Sequence, residues 1–297
     1  PAGVSGTVRL SFDGTAAVPV AVKQGSLVFR LPGRPGQARV ELPPALAGKA
    51  PRDWPGEKPA VAVLDFGPAV GLGWTKIPPK SWIDALQQSR LASNHGLTIR
   101  RIAGTAELQE VFKAGPTKCL AVINPYGEGF PAMAPGQWRE ALDHIRDYVR
   151  CGGWWWETGG YSFHSAASQV NGQWRFDAVG PQGTGYLGLP GGGGDVEQTP
   201  EPLSVTAEGR AWLGKEVSDR IAGSASTVNR ALLRGNEDPG HITLVTGREQ
   251  DFVGAYRLGG WGWLWRIGGF YPNADVAVPV TVATMEYLYT HAPPLSP

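Results

Sequence analysis

CGGWWWETGGYSFH, residues 151–164, holds a helix end, a glycine break, three consecutive tryptophans, a carboxylate and a glycine pair. The run before it, GQWREALDHIRDYVR, is amphipathic at helical period, and the glycines at 152 and 153 stop it. WWWE then reads as a short buried strand, and Gly159 with Gly160 as the tight turn that leaves it. Helix, glycine, strand and turn in that order form the closing half of a β-α-β unit, so the question becomes whether such units repeat upstream.

They do. VAVLDF (61–66) is a continuous apolar strand, SWIDALQQSRLASN (81–94) a helix with a serine N-cap, and LTIRRI (97–102) a second strand. TAELQEVFKAG is a capped helix ending at Gly115, and KCLAVIN (118–124) is the third strand, which makes WWWE the fourth. This series predicts an α/β domain with a mostly parallel sheet, helices on both faces and right-handed crossovers. Residues 162–240 are the least patterned and include the glycine-rich stretch GPQGTGYLGLPGGGGD, read as a surface loop. That loop carries no GxxxxGK[ST] phosphate motif. Order returns with HITLVTG, FVGAYRLGG and WGWLWRIGG as strands and a closing helix near 275–290.

Residues 1–47 differ in rhythm. GTVRLSF, VPVAVKQ, SLVFRL and QARVEL are short runs between DG, QG and GRPG turns, which predicts a small antiparallel β module of about four strands. A proline-rich linker follows over 48–59, and the α/β domain occupies 60–292.

Composition narrows the function. A net charge of +1 with 18% charged residues gives no field to draw nucleic acid or an anionic membrane. No apolar run reaches the roughly 20 residues of a membrane-crossing helix, and the opening PAGVSGTV lacks the regions of a signal peptide. Two cysteines exclude a disulfide framework and an all-cysteine metal site. Each precedes a strand, so Cys119 and Cys151 are either bridged at one end of the sheet or two buried thiols. The five histidines, including His95, His144, His241 and His291, show no metal-ligand spacing, and no cofactor motif is present.

In an open parallel sheet, ligands bind outside the carboxyl ends of the strands. Four polar stretches fall there: Asp65 with the loop holding Trp74; Asn124, Tyr126 and Glu128; Glu157 and Thr158, followed by Tyr161 and His164; and Tyr271, Asn273 and Asp275. Two readings stand for the carboxylates. Glu157 and Glu128 are an acid and base pair for glycoside hydrolysis, with the remaining groups holding substrate. Alternatively, Glu128 braces its loop and Glu157 accepts backbone hydrogen bonds. The 12 tryptophans admit two readings as well. Trp261, Trp263 and Trp265 share one strand face, as do Trp154 and Trp156, and such stripes either fill a core or stack on sugar rings.

The order of strand, glycine loop, helix, strand and glycine turn over 118–160 resembles the class I glutamine amidotransferase-like fold, near its ThuA-like members and the trimerisation domains of microbial β-galactosidases. In amidotransferases a cysteine nucleophile occupies a G-x-C-x-G elbow, and here the matching W-x-E-x-G carries Glu157. The later F-H-P-E of the family is matched by Phe270, Tyr271, Pro272 and Asn273. All three triad positions therefore differ, and neither tyrosine nor asparagine activates a nucleophile near neutral pH. The resemblance implies a degenerate, non-glutaminase domain in a secreted or periplasmic bacterial carbohydrate-active protein, acting as a glycan-binding or accessory part or, alternatively, as a structural domain that mediates oligomerisation. The expected partners are a carbohydrate and either further copies of the chain or an upstream catalytic domain.

Overall fold

The structure, a computed structural model, describes residues 6–12, 18–22, 38–41, 58–67, 77–189, 196–229, 241–247, 250–256, 258, 262–269 and 273–291. Two compact units divide the chain, residues 1–57 with 290–297 and residues 58–289. In the first, β1 (Gly6–Phe12) pairs antiparallel with both β2 (Val18–Val22) and β3 (Ala38–Glu41), giving the order β2-β1-β3. The SLVFRL run expected as a further strand lies outside the described residues.

The larger unit opens with β4 (Ala60–Leu64), α1 (Pro79–Gln88), α2 (Arg90–Ser93), β5 (Thr98–Ile102), α3 (Thr105–Ala114) and β6 (Cys119–Asn124). The helix expected over 81–94 starts earlier, behind Pro78 and with proline in its first turn, and breaks at Ser89. After β6 come β7 (Gly129–Pro131), α4 (Trp138–Arg150) and β8 (Trp154–Thr158). The unpatterned middle holds β9 (Ser165–Val170), β10 (Gln173–Ala178), α5 (Gln182–Tyr186), β11 (Val196–Val205), α6 (Ala207–Ala222) and β12 (Ala225–Asn229). β13 (Ile242–Gly247), β14 (Gln250–Tyr256), β15 (Trp263–Ile267) and α7 (Ala274–His291), which belongs to this unit up to Tyr289, complete it. The expected glycine-rich loop thus contains a short helix, α5, with Gly183 and Thr184 buried.

A nine-stranded sheet in the order β12-β11-β13-β14-β15-β8-β6-β4-β5 runs through the domain. From β15 to β5 every pairing is parallel, whereas from β12 to β15 every pairing is antiparallel, so the sheet is mixed rather than parallel throughout. For β13 and β14 connection length gives the reason. A parallel return needs a dozen or more residues of crossover, and Gly247 is joined to Gln250 by two. β4 leads to β5 on one side and borders β6 on the other, which makes the carboxyl ends of β4 and β6 the topological switch point.

Helix α4 buries Ala141, Leu142, Ile145, Tyr148 and Val149 along one stripe. It packs on the sheet face that also presents Ala62, Leu64, Val122, Trp155 and Leu264. On the other face Trp156 and Trp265 stack at 4.9 Å and 10°, and Trp212 of α6 meets Trp265 at 5.9 Å. Trp263 is 4% exposed and Trp265 fully buried, so this stripe fills a core; Trp261 lies outside the described residues. Two glycines set β15 beside β8: a Cβ on Gly153 would stand 2.4 Å from the Tyr148 ring, and one on Gly262 2.0 Å from the Gly153 carbonyl. That close approach lets Gly262 N–H reach Val149 O at 2.9 Å and Trp263 N–H reach Gly153 O at 3.1 Å.

Neither cysteine is bridged. Cys119 is buried in β6, and Cys151, expected as a bridge partner or a buried thiol, is exposed beyond the end of α4. Among the described residues no helix is long and apolar enough to cross a membrane, and no group of three or more histidine, cysteine or carboxylate side chains is placed to hold a metal ion.

Candidate functional site

Strand register brings three polar residues into one transverse row. Asn124 of β6 lies opposite Glu157 of β8, and Glu157 lies opposite Arg266 of β15. Successive side chains of a strand alternate faces, so Glu157 projects to the same side as Trp155. All three row residues are buried, at 0% exposure for Asn124 and Glu157 and 1% for Arg266.

The Glu157 carboxyl accepts from Asn124 Nδ2 at 3.1 Å on both oxygens and from Trp155 Nε1 at 2.8 Å. Burial pushes it up from 4.5 to about 8, while those donors and the Arg266 charge restrain the rise. Asn124 is held in turn, donating to Gly129 O at 2.7 Å and accepting from Tyr126 N at 3.2 Å. Arg266 donates to the carbonyls of Gly159 at 3.1 Å and Ile267 at 2.6 Å, and to that of Gly160. Burial lowers it from 12.5 to about 10 against the opposing pull of Glu157, Tyr256 and Glu128.

The guanidinium therefore grips the turn that leaves β8. Within that turn Gly159 and Gly160 have φ of 70° and 58°, a left-handed backbone that glycine adopts without strain. Gly159 N–H bonds Ile267 O at 2.8 Å, Gly160 N–H bonds Gly269 O at 2.9 Å, and Tyr161 N–H bonds Glu128 Oε1 at 3.2 Å. Three successive amides are thus committed to the protein itself. Glu128 is 5% exposed, and its Cγ stands where a Cβ on Gly160 would be, 2.3 Å away. Its carboxyl is raised by burial and restrained by Tyr161 N–H and Arg266. The main-chain carbonyl of Glu128 accepts from His164 N at 3.1 Å and Ser165 N at 3.0 Å, which ties this loop to the start of β9.

The other candidates divide around this row. Thr158 is buried and donates to Asn124 O at 2.9 Å. Tyr126 is buried, and its hydroxyl accepts from Phe66 N at 2.6 Å, joining the ends of β4 and β6 across the switch point; burial pushes its phenol to about 12. Asp65 forms a 2.6 Å ion pair with Arg101, so it braces the β4 and β5 ends. Tyr161 and His164 are half-buried with ring centroids 5.1 Å apart, and His164 directly precedes β9. Asn273 is exposed and accepts from Asp275 N at 2.9 Å, which makes it a cap at the start of α7, with Asp275 an exposed acid of the first turn. Tyr271 and Trp74 lie outside the described residues.

Two features escaped the sequence reading. Arg266 sits in WLWRI, an otherwise apolar buried strand, and a single charge in such a strand is the signal that a buried partner exists. The β9–β10 hairpin is the other. Its Trp174 stacks on Phe66 at 5.2 Å and 24°, and Phe66 on Tyr126 at 5.9 Å and 11°, so a column of three rings rises from the switch point. The turn residue Glu157, read as an elbow, lies inside the strand; the left-handed positions come at Gly159 and Gly160.

No protein-family profile matches the chain, and no curated protein matches it. Among solved structures, a cytoplasmic protein from Salmonella typhimurium aligns with a TM-score of 0.41 at 11% identity, over 71% of this chain and 85% of that one. The GH42 β-galactosidase Gan42B from G. stearothermophilus aligns with a TM-score of 0.45 at 11% identity, over 80% of this chain. This chain spans only 30% of that enzyme's length. A protein from Thermoplasma acidophilum, described as part of a GMP synthase, aligns with a TM-score of 0.36 at 8% identity, over 80% of this chain and 99% of that one. The chain is similar to a glycoside hydrolase and to a protein described as part of a GMP synthase, both at low identity, and these likenesses concern the course of the backbone alone.

Proposed function

We propose that this chain is a non-catalytic, carbohydrate-associated domain, the glycan-binding or accessory part of a secreted bacterial carbohydrate-active protein. The observation that carries the non-catalytic half is the sealed row: Glu157 is fully buried with both oxygens hydrogen-bonded, and the amides of Gly159, Gly160 and Tyr161 are all committed. Glycoside hydrolysis needs one carboxyl facing the leaving oxygen and a second facing the sugar or a water. Amide hydrolysis needs a nucleophile and free donors for the oxyanion. Glu157 and Glu128 instead hold a turn. Their buried polar contacts fix the carboxyl ends of β6, β8 and β15, leaving the surface around those ends to do the binding. The carbohydrate half draws on the resemblance of the strand, loop, helix, strand and turn order over 118–160 to a fold that includes the trimerisation domains of microbial β-galactosidases.

The test is a panel of plant, algal and microbial polysaccharides, scored for new reducing ends and for retention in affinity gels, with wild type and Glu157→Gln side by side. Retention of both proteins without reducing ends is expected. Reducing ends that appear with wild type and vanish with Glu157→Gln would make Glu157 catalytic; failure to be retained on any glycan would remove the binding role.

A further inference from the structure

The sheet β10-β9-β7 ends on β10, whose outer edge pairs with no strand among the described residues. Asn171 and Gly172 join β9 to β10 with φ of 50° and 77°, a two-residue turn whose flanking residues, Val170 and Gln173, form a hydrogen-bonded pair. Bonded and non-bonded pairs alternate along an antiparallel ladder. Arg175 with Ser168 and Asp177 with Ala166 are therefore bonded pairs too, whereas Trp174, Phe176 and Ala178 turn their N–H and C=O groups away from β9. The opposite strand agrees: Ala167, which faces Phe176, gives its carbonyl to Ala132 N at 2.7 Å on the β7 side. Among the described residues no hydrogen bond reaches those outward groups of β10. Protein edges are usually blunted by proline, lysine or a bulge. QWRFDA has neither residue, and its register with β9 is unbroken.

The side chains say what this edge fits. Trp174 and Phe176 point to one face of β10, and Arg175 and Asp177 to the other. An open depression of about 510 Å³ touches all four, so it runs along the edge of the strand. Phe176 is 41% exposed, the one large apolar side chain left open among the described residues. An antiparallel partner must set outward groups opposite outward groups, and a second β10 does so about a two-fold axis through Phe176. Phe176 then faces its own counterpart, Trp174 faces Ala178 of the second copy, and Arg175 faces Asp177 of the second copy, twice by symmetry. Moving the axis by one residue keeps the backbone groups matched but sets Arg175 against Arg175, or Asp177 against Asp177. Opposite charges across a ladder stabilise and like charges destabilise, so charge selects the Phe176 register. Both charges are available for it. Arg175 is exposed with no ion pair among the described residues, and Asp177 accepts from Gly136 N at 2.6 Å through Oδ2, which leaves Oδ1.

We infer that the free edge of β10 is a homodimer interface, on which a second copy of this chain adds its own β10 antiparallel about a two-fold axis at Phe176. The two three-stranded sheets become one, and the contact closes at two copies. This assembly is independent of the glycan-binding reading. Sedimentation velocity on the whole chain, from low micromolar to several hundred micromolar, tests it. Wild type should pass from monomer to dimer over that range. Arg175→Asp and Asp177→Arg each set like charges opposite one another at both symmetric positions, and each alone should weaken the dimer roughly tenfold or more. Mixed in equal amounts, the two variants restore both opposite-charge pairs and should form a heterodimer near wild-type affinity. Phe176→Pro removes an outward N–H that the hairpin does not use, so the variant should fold and stay monomeric. Arg175 is exposed, so Arg175→Asp keeps the test decisive if Asp177→Arg loosens the Gly136 contact. A wild type that stays monomeric, or that forms trimers, would overturn the inference, as would a dimer that Phe176→Pro leaves intact. A dimer lost in Phe176→Pro but indifferent to both charge reversals would overturn the two-fold register and put a different segment on this edge.

Discussion

Replacing Glu157 with glutamine converts the buried row into a measurable dependence of stability on pH. In the folded chain the carboxyl is held at about 8 instead of 4.5, chiefly by burial. Between those values the folded state keeps a proton that the unfolded chain has released, so folding takes up a proton and stability falls as pH rises. The contribution is fully present below about 4.5, is lost progressively up to about 8, and is flat beyond. At about 1.4 kcal/mol for each pH unit, the interval from 4.5 to about 8 amounts to roughly 4–5 kcal/mol. That is a large share of the ~5–15 kcal/mol that usually separates folded from unfolded domains. Arg266, lowered to about 10, titrates above this window. Glu128, also raised by burial, adds the same sign to wild type and variant alike, so the difference between the two proteins isolates Glu157. In Glu157→Gln the slope attributable to this residue disappears. At acid pH the variant carries a cost of about 1–3 kcal/mol, because its amide N–H₂ faces the donors Asn124 and Trp155 in place of an acceptor. Urea unfolding at a series of pH values from about 5 to about 8.5 should therefore show wild type the more stable at the acid end and the variant the more stable at the alkaline end. Parallel curves over the whole range would refute the reasoning, since they would mean that Glu157 does not change its protonation there.

Three further outcomes follow from the same geometry. Gly160→Ala places a Cβ 2.3 Å from Glu128 Cγ at a φ of +58°, and a drop of roughly 2–4 kcal/mol in urea-derived stability is expected; a change within experimental error would mean the Glu128 loop yields freely. Trp265→Ala removes the ring stacked on Trp156 and tilted against Trp212 and should cost about 3–5 kcal/mol, read as a lowered unfolding midpoint with an unchanged slope. With a thiol-reactive chromophore one thiol per native chain should react, the exposed Cys151. Cys119, buried and pushed up to about 11, should react only in denaturant; two fast thiols would contradict its place in the core.

Much of this architecture is legible in short-range pattern because its causes are local. The stripe from Trp138 to Arg150, the left-handed Gly115 after α3 and the continuous apolar runs at β4, β6 and β8 each depend on residues within a turn or two, so periodicity and stop signals locate them. Residues 162–240 are opaque for the complementary reason. β11 contains two prolines and a register shift, and α6 has a non-helical Gly214 inside it, so neither presents the clean period that a sequence reading needs. These elements exist because neighbouring strands hold them. Of the antiparallel half of the sheet, β13 and β14 are legible as strands, whereas β11 and β12 are not, and no local pattern states the antiparallel pairing that joins them.

What the amino-acid order determines alone is therefore the alternation of strands and helices, the absence of a nucleophile at position 157, and the placement of Asn124, Glu128 and Glu157 toward the strand ends. Whether those groups face a cleft or the interior is decided only by tertiary structure. Glu157 meets Arg266 across 109 residues of chain through the β8–β15 register, and Gly153 and Gly262 are what let those strands close to that distance. Asn273, which the order of residues set beside the site, becomes a helix cap once α7 is placed. Trp174, which no local pattern marked, becomes the outer ring of a column on the switch point. A carboxylate's role depends on which dipoles and charges surround it after burial, and that environment is assembled from strands far apart in the chain.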